Sequence, residues 1–463
     1  MQLSHCLVLV LALVAQVFAL DHSIQRRATI PTPPNDPFYE PPEGWNETSP
    51  GDILRSRKVD LAFLDIKRIN YQAAYQILYR TTGGYEDEPD TTVTTVIVPH
   101  NAQQNKLVNF LVFTDANGAQ CAPSYSFREG SAFVTDLLHN YEELISNTFL
   151  DEGYIMTIPD YQGPTRAFAA GRLNGRMALD GVRATLNFER LGLSKNSKVV
   201  THGYSGGAIA SGWAAALHPS YAPEINAVGF SMGGTPANVT NTVSSLDQTL
   251  FSGLCVSGVT GFLFAYKKIQ EWAQGRLTAK GSEAIEFTRN NCLLSLTLKY
   301  PLIHFFSEEY VRGGSELLYD PVIRSVIADV VMGYKASETP TAPIYMFHAQ
   351  HDEIVPFDDA LKAGQDWANN GADVYFQQFT DQTVGHLFTE ISNIPNILFF
   401  ARDRFNGTDF PKGYTRRYSP NGLSDPLAPL TEVSALVQSV EDLLGRQVGP
   451  SDSIVRQTIA QQA

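Results

Sequence analysis

Apolar residues in this chain gather in short runs that read as buried strands, near positions 70–81, 92–99, 106–114, 154–159, 197–203, 226–232, 342–348 and 373–380. Between the later runs, apolar positions recur at helical spacing, near 133–150, 175–191, 206–217 and 357–369. Strand–helix alternation of this kind predicts an α/β fold with a mostly parallel central sheet flanked by helices on both faces. From Thr235 to about Thr341 the alternation stops. That stretch reads as mostly helical and interrupts the sheet pattern before its last strands. Residues 31–50 hold seven prolines and predict an extended arm.

One run ends in chemistry. Ser197-Lys-Val-Val-Thr-His202 reads as a strand and Ala208-Ile-Ala-Ser-Gly-Trp-Ala-Ala-Ala216 as a helix of small residues. Between them, Gly203-Tyr-Ser205-Gly-Gly207 fits G-x-S-x-G, the strained strand–turn–helix that presents a nucleophilic serine in α/β-hydrolases. Glycines two positions to either side leave no Cβ to clash, and the helix N-terminus favours negative charge developing there. A second match, Gly229-Phe-Ser231-Met-Gly233, leads into Gly234-Thr-Pro236, where no good helix begins. Ser231 therefore reads as the end of the next strand, and Ser205 as the nucleophile.

A serine nucleophile needs a base, and the base an orienting carboxylate, in the chain order Ser, acid, His. Ala342-Pro-Ile-Tyr-Met-Phe-His348 reads as a strand, with Asp352 and Glu353 on the loop beyond it. The one histidine that follows both is His386, after the strand pattern Asp373-Val-Tyr-Phe-Gln-Gln-Phe379. Chain order thus selects Ser205, Asp352 and His386, with Glu353 as the rival acid. The backbone N–H of Gly206, next after the nucleophile, is one expected oxyanion donor. The other should come from the loop Thr114-Asp-Ala-Asn-Gly118, which follows the early strand Lys106–Phe113.

Several segments carry a resemblance, in a shared order: Asn35-Asp-Pro-Phe-Tyr, Ser56-Arg-Lys-Val, Cys121-Ala-Pro-Ser-Tyr125 and Gly203-Tyr-Ser-Gly-Gly-Ala208. Ser220-Tyr-Ala-Pro-Glu224, Gly233-Gly-Thr-Pro236, Asp352-Glu-Ile-Val-Pro356 and His386-Leu continue it. In these segments the chain resembles the fungal secretory lipase family. The resemblance implies an α/β-hydrolase fold, the same three triad positions, Asp115 as the second oxyanion donor, and a disulfide between Cys121 and Cys292. It implies that residues 235–341 form a cap between two parts of the core, 51–234 and 342–425. It also implies hydrolysis of ester lipids, most simply triacylglycerol at a lipid–water interface, with no cofactor. An acyltransferase, a serine peptidase and a binding protein on a hydrolase fold are the alternatives.

Composition narrows the setting. The 463 residues are 43% hydrophobic, enough for a sizeable core, and carry a formal net charge of −14. Removing residues 1–27, which hold two arginines and one aspartate, leaves −15. Such a balance excludes nucleic acid as a partner and makes any lipid contact apolar. Leu7–Leu20 is apolar, with Val17 and Ala19 suiting a signal-peptidase cut after Ala19, and residues 20–27 end in a dibasic pair fit for a short propeptide. The run is too short for a comfortable membrane span. A secreted monomer is expected, with sequons at Asn46, Asn238 and Asn406. After Cys6 departs, Cys121, Cys255 and Cys292 remain, so at least one thiol stays outside any intramolecular pair. No Cys or His spacing suggests a metal. Phe251–Tyr266 reads either as an apolar surface opening onto lipid or as a helix buried in the cap. The tail from Pro426 holds an amphipathic pattern over Glu432–Leu444, a flap or a docked helix.

Overall fold

In the computed structural model the described residues are 30–449, apart from 64–66, 84–86, 133–140, 425 and 444–446. The expected leader and propeptide lie outside them. Twelve strands are described: β1 (Ile53–Lys58), β2 (Ala62–Phe63), β3 (Lys67–Arg68), β4 (Ala73–Thr82), β5 (Pro89–Val98), β6 (Gln103–Leu111), β7 (Tyr154–Pro159), β8 (Lys198–Tyr204), β9 (Ala227–Gly233), β10 (Ile344–Ala349), β11 (Val374–Phe379) and β12 (Tyr414–Ser419). Ten of them build one sheet in the order β1-β4-β5-β7-β6-β8-β9-β10-β11-β12. From β7 to β12 every pairing is parallel, while β1, β4 and β5 join antiparallel at one end.

Side-chain alternation explains why both faces are covered. Ile344 and Met346 of β10 enter one apolar cluster, and Tyr345 and Phe347 enter the other. Helices Gly171–Asn187 (α3), Gly206–Tyr221 (α4) and Phe357–Asn369 (α11) cover the first face. Helices Glu142–Asp151 (α2) and His386–Asn406 (α12) cover the second. A one-turn helix, Pro123–Ser126 (α1), precedes them. Each strand expected from the apolar runs is present. The edge strands β1 and β12 are not legible as runs, because Ile-Leu-Arg-Ser-Arg-Lys and Tyr-Thr-Arg-Arg-Tyr-Ser are half exposed and tolerate charge.

Between β9 and β10 lie helices Val239–Leu246 (α5), Ser252–Ala265 (α6), Lys267–Ala273 (α7), Ala279–Arg289 (α8), Leu293–Lys299 (α9) and Pro321–Ile327 (α10), with an apolar cluster of their own. Most of α6 is buried. The reading of Phe251–Tyr266 as a surface open to lipid is thereby corrected: Gly261 meets Phe168 so closely that a Cβ would sit 1.9 Å from its carbonyl oxygen. The last helix, Ala428–Leu443 (α13), docks on α2 and α12, with Ser439 Oγ donating to the Leu144 carbonyl at 3.0 Å. No helix of the described residues is long and apolar enough to cross a membrane.

Candidate active site

Ser205 sits between β8 and α4, where the chain reverses within one residue. Its backbone has φ 50° and ψ −118°, a conformation that costs on the order of 1–3 kcal/mol and persists only when its surroundings enforce it. The Ser205 N–H donates to the Gly233 carbonyl at 3.0 Å, which ties the turn to the neighbouring strand. On the other side, a Cβ on Gly207 would lie 1.9 Å from the Leu111 carbonyl oxygen of β6. Any other residue there would push α4 off the sheet. Ser205 is largely buried.

His386 is the first residue of α12, and its imidazole leans on the turn. A Cβ on Gly234, next after the Gly233 that holds Ser205, would lie 2.7 Å from His386 Cε1. The Tyr204 ring packs on the imidazole at 5.0 Å between centroids, and its hydroxyl donates to the His386 carbonyl at 2.6 Å. Nδ1 faces Asp352 Oδ2 at 2.7 Å, leaving Nε2 buried and without a hydrogen-bond partner among the described residues. Asp352 accepts the N–H groups of Ile354 and Val355 at 2.9 and 2.8 Å on Oδ1, and His348 Nε2 lies 3.2 Å from its Oδ2, a donor shared with the Val355 carbonyl at 3.3 Å. Glu353, the rival acid, instead accepts the backbone N–H of His386 at 2.9 Å and so caps α12. His348 as a second imidazole on Asp352 escapes sequence reasoning, although its place at the end of β10, four residues ahead, is the signal that it could reach.

Charges follow this geometry. Burial favours a neutral His386, but the Asp352 carboxylate and its hydrogen bond outweigh burial, with Glu353 and Asp115 adding, so the imidazole pKa is raised above 6.5. Burial would likewise raise Asp352; His386 and the His348 hydrogen bond hold it well below the usual carboxylate range.

The loop after β6 brings Asp115 against the elbow, with φ 50° at Asp115. A Cβ on Gly206 would fall 1.8 Å from Asp115 Oδ1, so only glycine permits this approach. Two outside groups hold the loop. Ser257 of α6 donates to the Asp115 carbonyl at 2.9 Å and lies 2.9 Å from Asn117 Oδ1. The Phe113 N–H donates to Glu142 Oε2 at 2.6 Å. Glu142 hydrogen-bonds Glu390, one turn beyond His386 on α12, and Glu390 accepts from the Tyr141 hydroxyl. Burial, then the Glu390 charge, pushes Glu142 well up. Burial raises Glu390 to about 7 against the lowering pull of Tyr141, His386 and Glu142. Burial and mutual repulsion thus favour the protonated form within this pair.

Asp115, Ser205 and Gly206 open into a chamber of about 30 Å³, walled by Phe168, Ile209, Pro236, Val239, Val243, Leu246 and Leu254. A second, apolar cavity of about 100 Å³ lies within the α5–α10 segment and shares Val239 and Val243 with the first.

The remaining sequence candidates fall elsewhere. Ser231 is fully buried in β9, 3.1 Å from His202 Nδ1, a histidine that burial lowers to about 3. Cys121 and Cys292 are disulfide-bonded with Cα atoms 5.6 Å apart, joining the segment after Asp115 to the start of α9. Closing so long a loop is worth about 5 kcal/mol in the chain-entropy model. Cys255 is a free, buried thiol whose pKa burial pushes up. Asn46 and Asn406 are exposed, whereas Asn238 is half buried and caps α5 through its side chain.

A strained serine turn ahead of a helix, on a mostly parallel sheet covered on both faces, defines an α/β-hydrolase. The family model described as secretory lipase matches residues 128–413, and the chain belongs to that family. It is 62% identical over 378 residues to the secreted triacylglycerol lipase LIP5 of Malassezia furfur, covering 82% of this chain and 99% of that one. The secreted triacylglycerol lipase LIP3 of Malassezia restricta is 47% identical over 438 residues, 95% of this chain and 93% of the relative. Among solved structures, Candida antarctica lipase A in its closed state superposes with a TM-score of 0.80 at 31% identity, covering 91% of this chain and 99% of that chain.

Proposed function

We propose that this protein is a secreted triacylglycerol lipase that works through an acyl-enzyme on Ser205, with residues 235–341 as the cap over its site. His386 Nε2 takes the Ser205 proton as Oγ attacks the ester carbonyl, then returns it to the departing alcohol. Asp352 holds Nδ1 protonated and stabilises the imidazolium. The N–H groups of Gly206 and Asp115 receive the oxyanion, each worth on the order of 10²–10³ in rate. Water, activated by the same histidine, then releases the fatty acid. The apolar cavity beyond Val239 and Val243 accommodates the acyl chain. The observation that carries this reading is the His386–Asp352 contact at 2.7 Å beside the strained Ser205 turn. Identity of 62% to a secreted triacylglycerol lipase supports the substrate and the compartment.

The test is hydrolysis of short-chain esters and emulsified triolein by wild type, Ser205→Ala and Ser231→Ala. Ser205→Ala should lose 10⁴-fold or more of the rate, by about the amount seen when other serine hydrolases lose their nucleophile, and keep its fold. Ser231→Ala should keep its activity. Full activity in Ser205→Ala would sink the assignment of the nucleophile, and turnover of short esters alone would sink the triacylglycerol substrate.

A further inference from the structure

We propose that the corner of the α5–α10 segment formed by Leu250, Leu298 and Leu302 is the face on which this protein docks to a neutral lipid surface. The three side chains are 60%, 73% and 63% exposed. Scattered exposed leucines need no explanation, but Leu250 and Leu302 lie in two turns that backbone hydrogen bonds hold against each other. The turn at 247–250 and the turn at 301–305 are clasped by four contacts. Gln248 N–H donates to the Ile303 carbonyl at 2.8 Å, and Leu302 N–H to the Thr249 carbonyl at 2.7 Å. Asp247 accepts the Phe305 N–H at 2.6 Å and meets His304 Nδ1 at 2.5 Å.

Within the clasp, Gln248 and Leu302 have φ of 65° and 58°, left-handed backbone that a branched side chain disfavours. Glycine or asparagine at 302 would relieve the backbone and remove the exposed apolar group together. A leucine kept in a strained turn, with its side chain in water, points to a role outside the free monomer's stability. Leu298 lies near the end of α9, one turn ahead of Leu302, and α9 abuts the start of α6, where a Cβ on Gly253 would lie 2.5 Å from the Leu296 carbonyl oxygen.

The occupant follows from position and charge. Leu246 and Leu254 line the Ser205 chamber, and the exposed Leu250 lies in the turn that joins them, so this corner adjoins the chamber wall. The inference rests on the lipase reading in that respect, since an insoluble ester must be met at its surface beside this wall. A net charge of −14 opposes anionic headgroups, and the Asp247 carboxylate is taken up inside the clasp by the Phe305 N–H and His304. That leaves an oil-like ester surface as the partner.

The test uses the triple variant Leu250→Ser, Leu298→Ser, Leu302→Ser, the single variant Leu302→Gly, and Tyr418→Ser on the edge strand β12 as control. Each is combined with Ser205→Ala to measure co-sedimentation with triolein emulsion without turnover. The triple variant should bind emulsion at least tenfold more weakly and lose triolein hydrolysis in proportion, while a soluble short-chain ester is cleaved within twofold of wild type. Leu302→Gly, which relieves the backbone, should be at least as stable as wild type and also bind more weakly; the control should bind as wild type does. Unchanged emulsion binding in both variants overturns the proposal, as does a parallel loss on the soluble ester in both. A wild-type dimer that the triple variant dissolves, with emulsion binding intact, also overturns it. Emulsion binding without triolein turnover by wild type would instead refute the triacylglycerol substrate, independently of this face.

Discussion

His348 Nε2 lies 3.2 Å from Asp352 Oδ2, the same carboxylate oxygen that meets His386 Nδ1. One buried carboxylate is thus held between two imidazoles, and the second donor keeps Asp352 ionised and aimed. His348→Leu should lower kcat by about tenfold with little change in KM, and destabilise the fold by about 1–3 kcal/mol through the lost donor. His348→Gln, which can still donate, should recover most of both. Steady-state kinetics on a soluble ester and urea unfolding check this; equal kcat in wild type and His348→Leu would refute it.

Asp352 and Glu353 are neighbours with different tasks. Asp352→Asn should drop kcat by about 10⁴-fold, because the asparagine favours the wrong imidazole tautomer. Glu353→Gln loses only a charged cap on α12, at about 0.5–2 kcal/mol, and should keep activity within tenfold. In wild type the imidazole must be neutral to act as a base, so kcat/KM should rise with pH through a midpoint above 6.5. A midpoint below 6.5, or a severe defect in Glu353→Gln, would reverse the two roles.

Gly206→Ala is a test of the oxyanion pocket. Its Cβ would fall 1.8 Å from Asp115 Oδ1 and must displace the Asp115 side chain, and with it the setting of the Asp115 N–H beside the elbow. The expected loss is about 10²–10³-fold in kcat. Near-UV circular dichroism should remain close to wild type, since the loop sits outside the sheet. A fully active Gly206→Ala enzyme would show that Asp115 contributes nothing there.

Glu390 sets a pH dependence of stability. Its folded pKa is raised from 4.5 to about 7, so the folded state binds the proton more tightly than the unfolded chain. That contribution is fully present below about pH 4.5 and is lost as pH rises toward 7. Relative to Glu390→Gln, wild type should therefore become less stable across this window, by an amount on the order of a few kcal/mol. Urea unfolding of both proteins at pH 4.5 and 7.5 measures the difference. Parallel pH profiles would mean that Glu390 titrates in the folded protein as it does unfolded.

Much of the fold was legible because buried strands advertise themselves: Val199-Val200 and Ile344–Ala349 are apolar on both faces. The edge strands β1 and β12 were not, since Arg55, Arg57, Arg416 and Arg417 break their apolar pattern and are accommodated at half-exposed or exposed positions, Arg57 by Asp36 and Arg416 by Gln378. The site candidates Ser205, Asp352 and His386 came from chain order, which says nothing about side-chain direction. The structure puts Asp352 on the imidazole and Glu353 on the backbone N–H of the same histidine, a distinction that two adjacent acids in a sequence cannot carry.

The sequence by itself determined the parts whose physics is local. A glycine-flanked serine between a strand and a helix can only turn sharply, and an apolar run of six residues can only be buried. Tertiary structure alone decided the contacts made across long stretches of chain. His386 meets Asp352 over a separation of 34 residues, and Phe113 meets Glu142 over 29. It also shaped the chamber that Ser205 faces, whereas the burial of Ser231 in β9 follows the strand that its flanking residues already predict. The reason is that a motif specifies a backbone path. Which groups stand around that path depends on how the strand ends converge, and convergence is a property of the packed sheet.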